Sequence, residues 1–218
     1  SHELKTPITS IKGFIETLLG GALKNQAKSE HFLEIINKHT NRLNSIIDDL
    51  LSLSRLEQTK ELDFKRFSLA SIISRAIGVC SQNAKQKNIS VQMEAPDDIS
   101  AEINPQLVEQ AVVNLIDNSI KYSDPDNLVQ IFLTSEEEHI KVIVADRGCG
   151  ISPGNIDRVF ERFYRVDKAR SRKMGGTGLG LAIVKHIALA HNGEALVQSS
   201  LGEGSVFTLL LPKDQPAE

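Results

Sequence analysis

The chain has 218 residues, 24% of them charged and a formal net charge of −3, a balance that exerts no strong electrostatic pull toward nucleic acid or an anionic membrane surface. Hydrophobic residues make up 40%, enough for one large or two small globular domains, and no apolar run approaches the roughly 20 residues needed to span a bilayer. The two cysteines, Cys80 and Cys149, have neither a metal-site nor a disulfide-framework spacing, which points to reduced thiols in a cytosol.

Residues 1–58 read as two helices. Leu4, Ile8, Ile11, Ile15, Leu18 and Ala22 step by four and three, and Phe32, Ile36, His39, Leu43, Ile46, Leu50 and Leu53 do the same, giving an a/d seam along each helix. Gly20-Gly21 ends the first helix, and Ser29 reads as the start of the second. A short connection makes them an antiparallel hairpin. Phe14, Leu19, Leu33, Ile47 and Leu51 widen each apolar stripe beyond what one partner helix covers. Two hairpins paired as a four-helix bundle would bury the excess, so a homodimer through residues 1–58 is expected. The alternative is that the stripe packs on the rest of the chain. A helical pattern already running at Ser1-His2, with no initiating Met, suggests a fragment.

After a linker at 59–63 the period changes. Short β-type runs at Phe64–Phe67, Ile89–Met93, Leu128–Thr134, Ile140–Ala145, Ala195–Ser199 and Ser205–Leu211 alternate with helical runs at Leu69–Lys87, Pro105–Tyr122 and Leu179–His191. Two of the runs form a hairpin across Ser135–His139. The expected fold for 64–213 is a two-layer α/β sandwich with a mixed sheet, followed by a short tail at 214–218.

Chemistry begins at His2. On a 100° wheel it lies about 160° from the centre of the first apolar stripe, and Thr6 sits one turn along, about 40° away. His2 therefore faces away from the seam. A neutral imidazole offers an unprotonated nitrogen nucleophile. Glu3 is placed to fix its tautomer, and Pro7 removes the N–H that would bond the Glu3 carbonyl, loosening the helix there. Periodicity alone leaves a solvated surface histidine open. His39 falls in the seam, and the other histidines show no metal-site spacing.

Asn114, Asn118 and Lys121 share a helix face that runs into Tyr122, and the Asn118 amide oxygen suits Mg²⁺, which takes few protein ligands. Asp146 ends an apolar strand ahead of Gly148 and Gly150, which permit close backbone approach. Gly176, Thr177, Gly178, Leu179 and Gly180 precede a helix whose first N–H groups can hold phosphate. The spacing is neither a P-loop nor a Rossmann fingerprint. Between the glycine patches, Arg158, Arg162, Arg165, Lys168, Arg170, Arg172 and Lys173 form a basic stretch; Arg162 and Arg165 are candidates to offset phosphate charge, and Phe160 and Phe163 to anchor the stretch by packing.

Taken together these patches resemble sensor histidine kinases of two-component systems. Ser1-His2-Glu3-Leu4-Lys5-Thr6-Pro7 is similar to the H-box, Asn114–Tyr122 to the N-box, Asp146–Ile151 to the G1 box, Phe160–Arg165 to the F-box, and Gly175–Leu181 to the G2 box; the first 22 residues look most like the phosphate-regulon sensor (PhoR) group. The resemblance implies a HisKA hairpin and a GHKL ATP-binding domain with ATP and Mg²⁺ as cofactors. It implies His2 as phosphoacceptor, Glu3 as base, and Thr6 in dephosphorylation of the partner. It makes Asn118 the metal ligand, Lys121 and Tyr122 nucleotide contacts, Asp146 the acceptor from the adenine amino group, and the basic stretch an ATP lid. Autophosphorylation followed by transfer to an aspartate of a response regulator receiver domain is the expected activity, with response-regulator phosphatase activity beside it. The fragment would be cytoplasmic, with no membrane contact of its own, cut from a bacterial inner-membrane sensor. ATP-driven clamps of the Hsp90, gyrase and mismatch-repair group and some serine kinases share the nucleotide boxes but lack an H-box hairpin, and a degenerate scaffold would not need these boxes intact. Asn104 stands where many relatives carry an acid, and reads as a helix cap.

Overall fold

A computed structural model describes residues 2–58, 62–96, 99–167 and 176–215, the side chains of His2 and Lys24 excepted. Helix α1 (His2–Leu19) and helix α2 (Gln26–Gln58) are joined by a 3-10 turn at Ala22–Lys24. Phe14 stacks near Phe32 at 5.4 Å between ring centroids and Arg42 reaches Glu3, so the pair runs antiparallel. Helix α2 starts before Ser29, at Gln26. Asn25 makes the cap, its Oδ1 accepting from the Lys28 N–H at 3.1 Å. Ser29 instead is buried, its hydroxyl donating to the carbonyls of Ala22 and Asn25.

The apolar stripe divides in a way periodicity does not show. Pro7 and Leu18 are buried within the hairpin, whereas Ile8 and Ile15, assigned to its seam, are exposed along with Leu19, Leu33, Ile47 and Leu51. Farther along α2, Ile46 and Leu53 are 0% and 2% exposed and belong to the same continuous core as the α/β part. Each of the two faces of this hairpin therefore has its own requirement for cover.

Strand β1 (Lys65–Ser68) leads into helix α3 (Leu69–Gln86), capped by the Ser68 hydroxyl. Strands β2 (Ser90–Glu94) and β3 (Ser100–Ile103) precede helix α4 (Pro105–Tyr122). Asn104 caps α4 as its sequence position suggests, accepting from the Leu107 N–H at 3.2 Å, with Pro105 at the first turn where a missing N–H costs nothing. Then come β4 (Leu128–Ser135), β5 (His139–Asp146), the one-turn α5 (Pro153–Ile156), α6 (Gly180–Ala190), β6 (Glu194–Ser200) and β7 (Gly204–Pro212).

The main sheet has order β2-β4-β5-β7-β6, with β2 parallel to β4 and all other pairs antiparallel; β1 and β3 pair separately. Alternation sets the layers. Val129, Ile131 and Leu133 of β4, Ile140, Val142 and Val144 of β5, and Phe207, Leu209 and Leu211 of β7 are at most 2% exposed, lying in one core with the apolar faces of α3, α4 and α6. The result is the expected two-layer sandwich with a mixed sheet. Strand β3 and helix α5, absent from the sequence reading, are four residues each, too short to leave a periodic signal.

Two polar devices set helix α4 in place. At its C-terminus, Lys87 Nζ donates to the carbonyls of Ile120, Lys121 and Ser123 at 2.9, 2.7 and 3.1 Å, satisfying acceptors the helix itself leaves open and complementing its dipole. At its N-terminus, the Asn104 N–H donates to Nε2 of fully buried His191, whose Nδ1 lies 2.7 Å from the Ile187 carbonyl. That imidazole is neutral, and burial pushes its pKa below the usual value.

Candidate nucleotide site

Helix α4, the turn after β5, the segment after α5, the loop before α6 and helix α2 converge on one cavity of about 470 Å³. Of the residues singled out in the sequence, Asn114, Asn118, Lys121, Tyr122, Asp146, Gly150, Arg165, Gly176, Thr177, Gly178 and Gly180 line it.

Asp146 is 8% exposed at the end of β5. Its Oδ1 accepts from the N–H groups of Gly148 and Ser205 at 2.9 and 3.2 Å, and its Oδ2 from the Ser119 hydroxyl at 3.1 Å. Burial pushes this carboxyl up from the usual range while the three donors pull it back. A carboxylate so held keeps free lone pairs toward the cavity and cannot turn away. Gly148 lies outside the cavity lining, and its role is steric: a Cβ there would lie 2.5 Å from the Tyr122 carbonyl oxygen and 2.9 Å from Asp146 Oδ1. The turn closes directly on the end of α4, with the Cys149 N–H donating to that same carbonyl at 3.2 Å.

The other wall is the loop before α6. Gly178 has φ +76°, and its carbonyl accepts from the Phe163 N–H at 2.8 Å. The Thr177 hydroxyl accepts from the Leu179 N–H at 3.2 Å, bracing the loop that enters α6. Leu179 itself points into the core and is 0% exposed. The side chain of Arg165 is 2% exposed and its Nη2 donates to the Thr177 carbonyl at 2.7 Å.

The cavity is rich in unspent donors. Among the described residues, Asn114 Nδ2 and Arg165 Nε and Nη1 are buried without a hydrogen-bond acceptor. Such atoms are costly unless a ligand supplies acceptors, and a phosphate is an acceptor-only group that the guanidinium fork fits. Asn118 lines the cavity, while Lys121 reaches it but pairs with Asp117 at 2.6 Å. No group of three His, Cys, Asp or Glu side chains suited to a metal exists among the described residues, so a cation here would rely on one amide oxygen plus ligand and water oxygens.

The hairpin contributes directly. Ser45 and Asp49 of α2 line the cavity, and Asp49 Oδ2 accepts from the Thr177 hydroxyl at 2.7 Å. Glu3 accepts from Arg42 at 3.1 Å and pairs with Arg165 at 3.2 Å. Thr6, half-buried one turn on, lies outside the cavity, its carbonyl accepting from the Ser10 hydroxyl. Arg162 does not line the cavity. It is exposed, paired with Glu57 at the end of α2 and 3.1 Å from His186 Nε2. The readings that fall on Ser1, the His2 side chain, Lys168, Arg170, Arg172, Lys173 and Gly175 lie outside the described residues. Arg42 and Asp49 are site residues that the sequence does not single out, whereas Ser205 ends the later glycine patch Gly202-Glu203-Gly204-Ser205. Arg42 and Asp49 are ordinary polar residues whose relevance exists only once the hairpin is folded against the cavity.

Residues 103–215 match the family described as histidine kinase-, DNA gyrase B- and HSP90-like ATPase, and residues 1–59 match the His Kinase A (phospho-acceptor) domain. The chain belongs to the sensor histidine kinase family. It is 41% identical over 213 residues to the sensor-like histidine kinase SenX3 of Mycobacterium tuberculosis, covering 97% of this chain and 52% of that protein, so the chain spans about half the length of the curated relatives it matches. Among solved structures it is similar to histidine kinase ThkA in complex with response regulator protein TrrA (TM-score 0.80, 23% identity, 97% of this chain and 59% of that one), a likeness of fold. It is also similar to full-length ShkA in complex with AMPPNP (TM-score 0.71, 25% identity, 100% of this chain and 45% of that one). The SenX3 relationship fits the phosphate-regulon resemblance of the first helix. The ATPase-type match covers α4, β5 and the α6 loop, all of which contribute to the cavity lining.

Proposed function

We propose that the chain binds ATP with Mg²⁺ in this cavity and transfers the γ-phosphoryl group to His2, from which an aspartate of a response regulator receiver domain takes it. The observation that carries the reading is that the hairpin bearing His2 is docked on the cavity: Asp49 of α2 lines it and touches the α6 loop, and Glu3, adjacent to His2 on α1, is held by the cavity arginine Arg165. Acceptor and donor sites are thus parts of one assembly.

In the proposed reaction an imidazole nitrogen of His2 forms a bond to the γ-phosphorus as the bond to the bridging oxygen breaks, leaving ADP. Glu3 accepts the imidazole proton. Asp146, held by three donors, accepts from the adenine amino group. Asn118 supplies an oxygen to Mg²⁺, which neutralises phosphate charge, and Lys121, Tyr122, Arg165 and the Gly176–Gly180 backbone contact the nucleotide. Positioning and charge neutralisation provide most of the acceleration. Arg162, paired with Glu57, serves the hairpin contact. Thr6, one turn from His2, assists hydrolysis of the partner's phosphoaspartate.

The exposed stripe of Ile8, Ile15, Leu19, Leu33, Ile47 and Leu51, between 42% and 74% accessible, supports a homodimer through residues 1–58 as a four-helix bundle. No described helix is long and apolar enough to cross a membrane; in the proposed whole protein, sensing and inner-membrane segments precede this cytoplasmic core. Incubation with γ-labelled ATP should label the chain, and His2→Gln should abolish labelling while nucleotide affinity persists. Labelling of the His2→Gln chain at the parent rate would refute the assignment.

A further inference from the structure

Arg165 is held in an unusual way. Its side chain is 2% exposed, yet two of its three nitrogens, Nε and Nη1, have no acceptor among the described residues. The third, Nη2, is shared between the Thr177 carbonyl at 2.7 Å and Glu3 Oε2 at 3.2 Å. The cation that the nucleotide cavity offers to an anion is thus already engaged by an anion of the hairpin. Glu3 has a second partner, since Arg42 Nη2 donates to the same oxygen at 3.1 Å. A second carboxylate of the hairpin, Asp49, enters the cavity and grips Thr177, the residue whose carbonyl Arg165 also binds.

A carboxylate and a phosphate compete for a guanidinium because both match its planar fork. Two anions on one buried guanidinium also repel each other strongly, since water screens them little there. Polyphosphate in this cavity would meet Asp49, which lines it, and would compete with Glu3 for Arg165.

We propose that Arg165 is an exchange point between two anions, the hairpin carboxylate of Glu3 and a phosphate of the nucleotide. Polyphosphate binding then releases Arg165 from Glu3 and Thr177 from Asp49, leaving Glu3, the residue next to His2, on Arg42 alone. Arg42 is a positioning residue in this scheme: it retains the acid next to the phosphoacceptor once Arg165 has turned to the nucleotide. In this exchange the acid becomes available to His2 only when there is something to transfer. The inference rests on the nucleotide reading of the cavity and adds its control.

Calorimetric titration of the full chain with a non-hydrolysable ATP analogue and Mg²⁺ tests it, with adenosine as the phosphate-free control. Glu3→Gln and Asp49→Asn should each tighten analogue binding about fivefold, the equivalent of one net hydrogen bond, and leave adenosine binding unchanged. In an Arg165→Met background, Glu3→Gln should lose that effect. Analogue binding by Glu3→Gln equal to or weaker than the parent would overturn the exchange. So would a gain that persists without Arg165, or one that appears equally with adenosine. A parent chain that binds neither ligand would instead remove the nucleotide reading on which the exchange rests.

Discussion

Replacing Asp146 with Asn isolates the contribution of one charge in a site whose geometry need not change. Three donors hold the carboxylate: the Gly148 and Ser205 N–H groups on Oδ1 and the Ser119 hydroxyl on Oδ2. An asparagine can keep its oxygen on the two backbone N–H groups and place its NH₂ against Ser119, whose hydroxyl rotates from donor to acceptor. Burial that disfavours the carboxylate is also relieved in the neutral amide, so the domain should melt at or slightly above the parent temperature. Nucleotide binding behaves differently. An NH₂ group facing the cavity cannot accept from an adenine amino group, and a hydrogen bond to a charged acceptor is worth about 1.5–3 kcal/mol, or roughly 10- to 150-fold in affinity. Thermal unfolding and calorimetric titration with an ATP analogue on the same preparation separate the two effects. Affinity within about threefold of the parent in a fully folded Asp146→Asn protein would refute the assignment of this carboxylate to the base.

Gly148→Ala should lose nucleotide binding and destabilise the domain by about 1–3 kcal/mol from overpacking, because the new methyl group meets the Tyr122 carbonyl and Asp146; an unchanged melting temperature would contradict that steric role. His191 carries a pH prediction. Its pKa is lowered in the folded state from a reference of 6.5, so its neutral form contributes stability that is present above pH 6.5 and is lost as pH falls through the folded value. Urea unfolding at stepped pH should show that loss in the parent and not in His191→Phe, which at neutral pH should cost about 1–3 kcal/mol for stranding the Asn104 N–H; an identical acid dependence in both would exclude His191. Ile15→Asp with Leu19→Asp should convert a dimer to a monomer in sedimentation equilibrium while far-ultraviolet dichroism is retained, because both positions are exposed in the single chain; a parent that is monomeric would contradict the bundle.

The α/β half was legible because each of its longer elements carries a strong local signal. Asn104 and Pro105 start α4, Lys121 and Ser123 close it, and the helix runs over the residues the sequence indicates. The alternations in β4 and β5 fix both strands and their hairpin to within a residue. The hairpin was less legible. Periodicity identifies Ile46 and Leu53 as apolar but not what covers them, and in the folded chain they join the core of the α/β part while Ile8 and Ile15 stay outside. Ser29 stands out as a helix start because serine commonly begins one, but Asn25 four residues earlier supplies an acceptor first and Ser29 turns inward. Site residues followed the same division. Those in glycine and asparagine patches stood out in the sequence. Asp49 did not, because an acid on an amphipathic helix normally faces solvent and its partner Thr177 is 128 residues away. Arg42 is 39 residues from Glu3, a distance at which no local pattern operates. Arg162 and Arg165 looked equivalent in the sequence, and only the turn between them sends one to Glu57 and the other to the cavity.

Locating the transferred phosphate tests the central claim most directly. After incubation with ATP and Mg²⁺, peptide mapping by mass spectrometry under alkaline conditions should place a single phosphoryl group on the peptide bearing His2, and brief acid treatment should remove it. An acid-stable phosphate on serine or threonine, or label on any other peptide with His2 unmodified, would contradict the account.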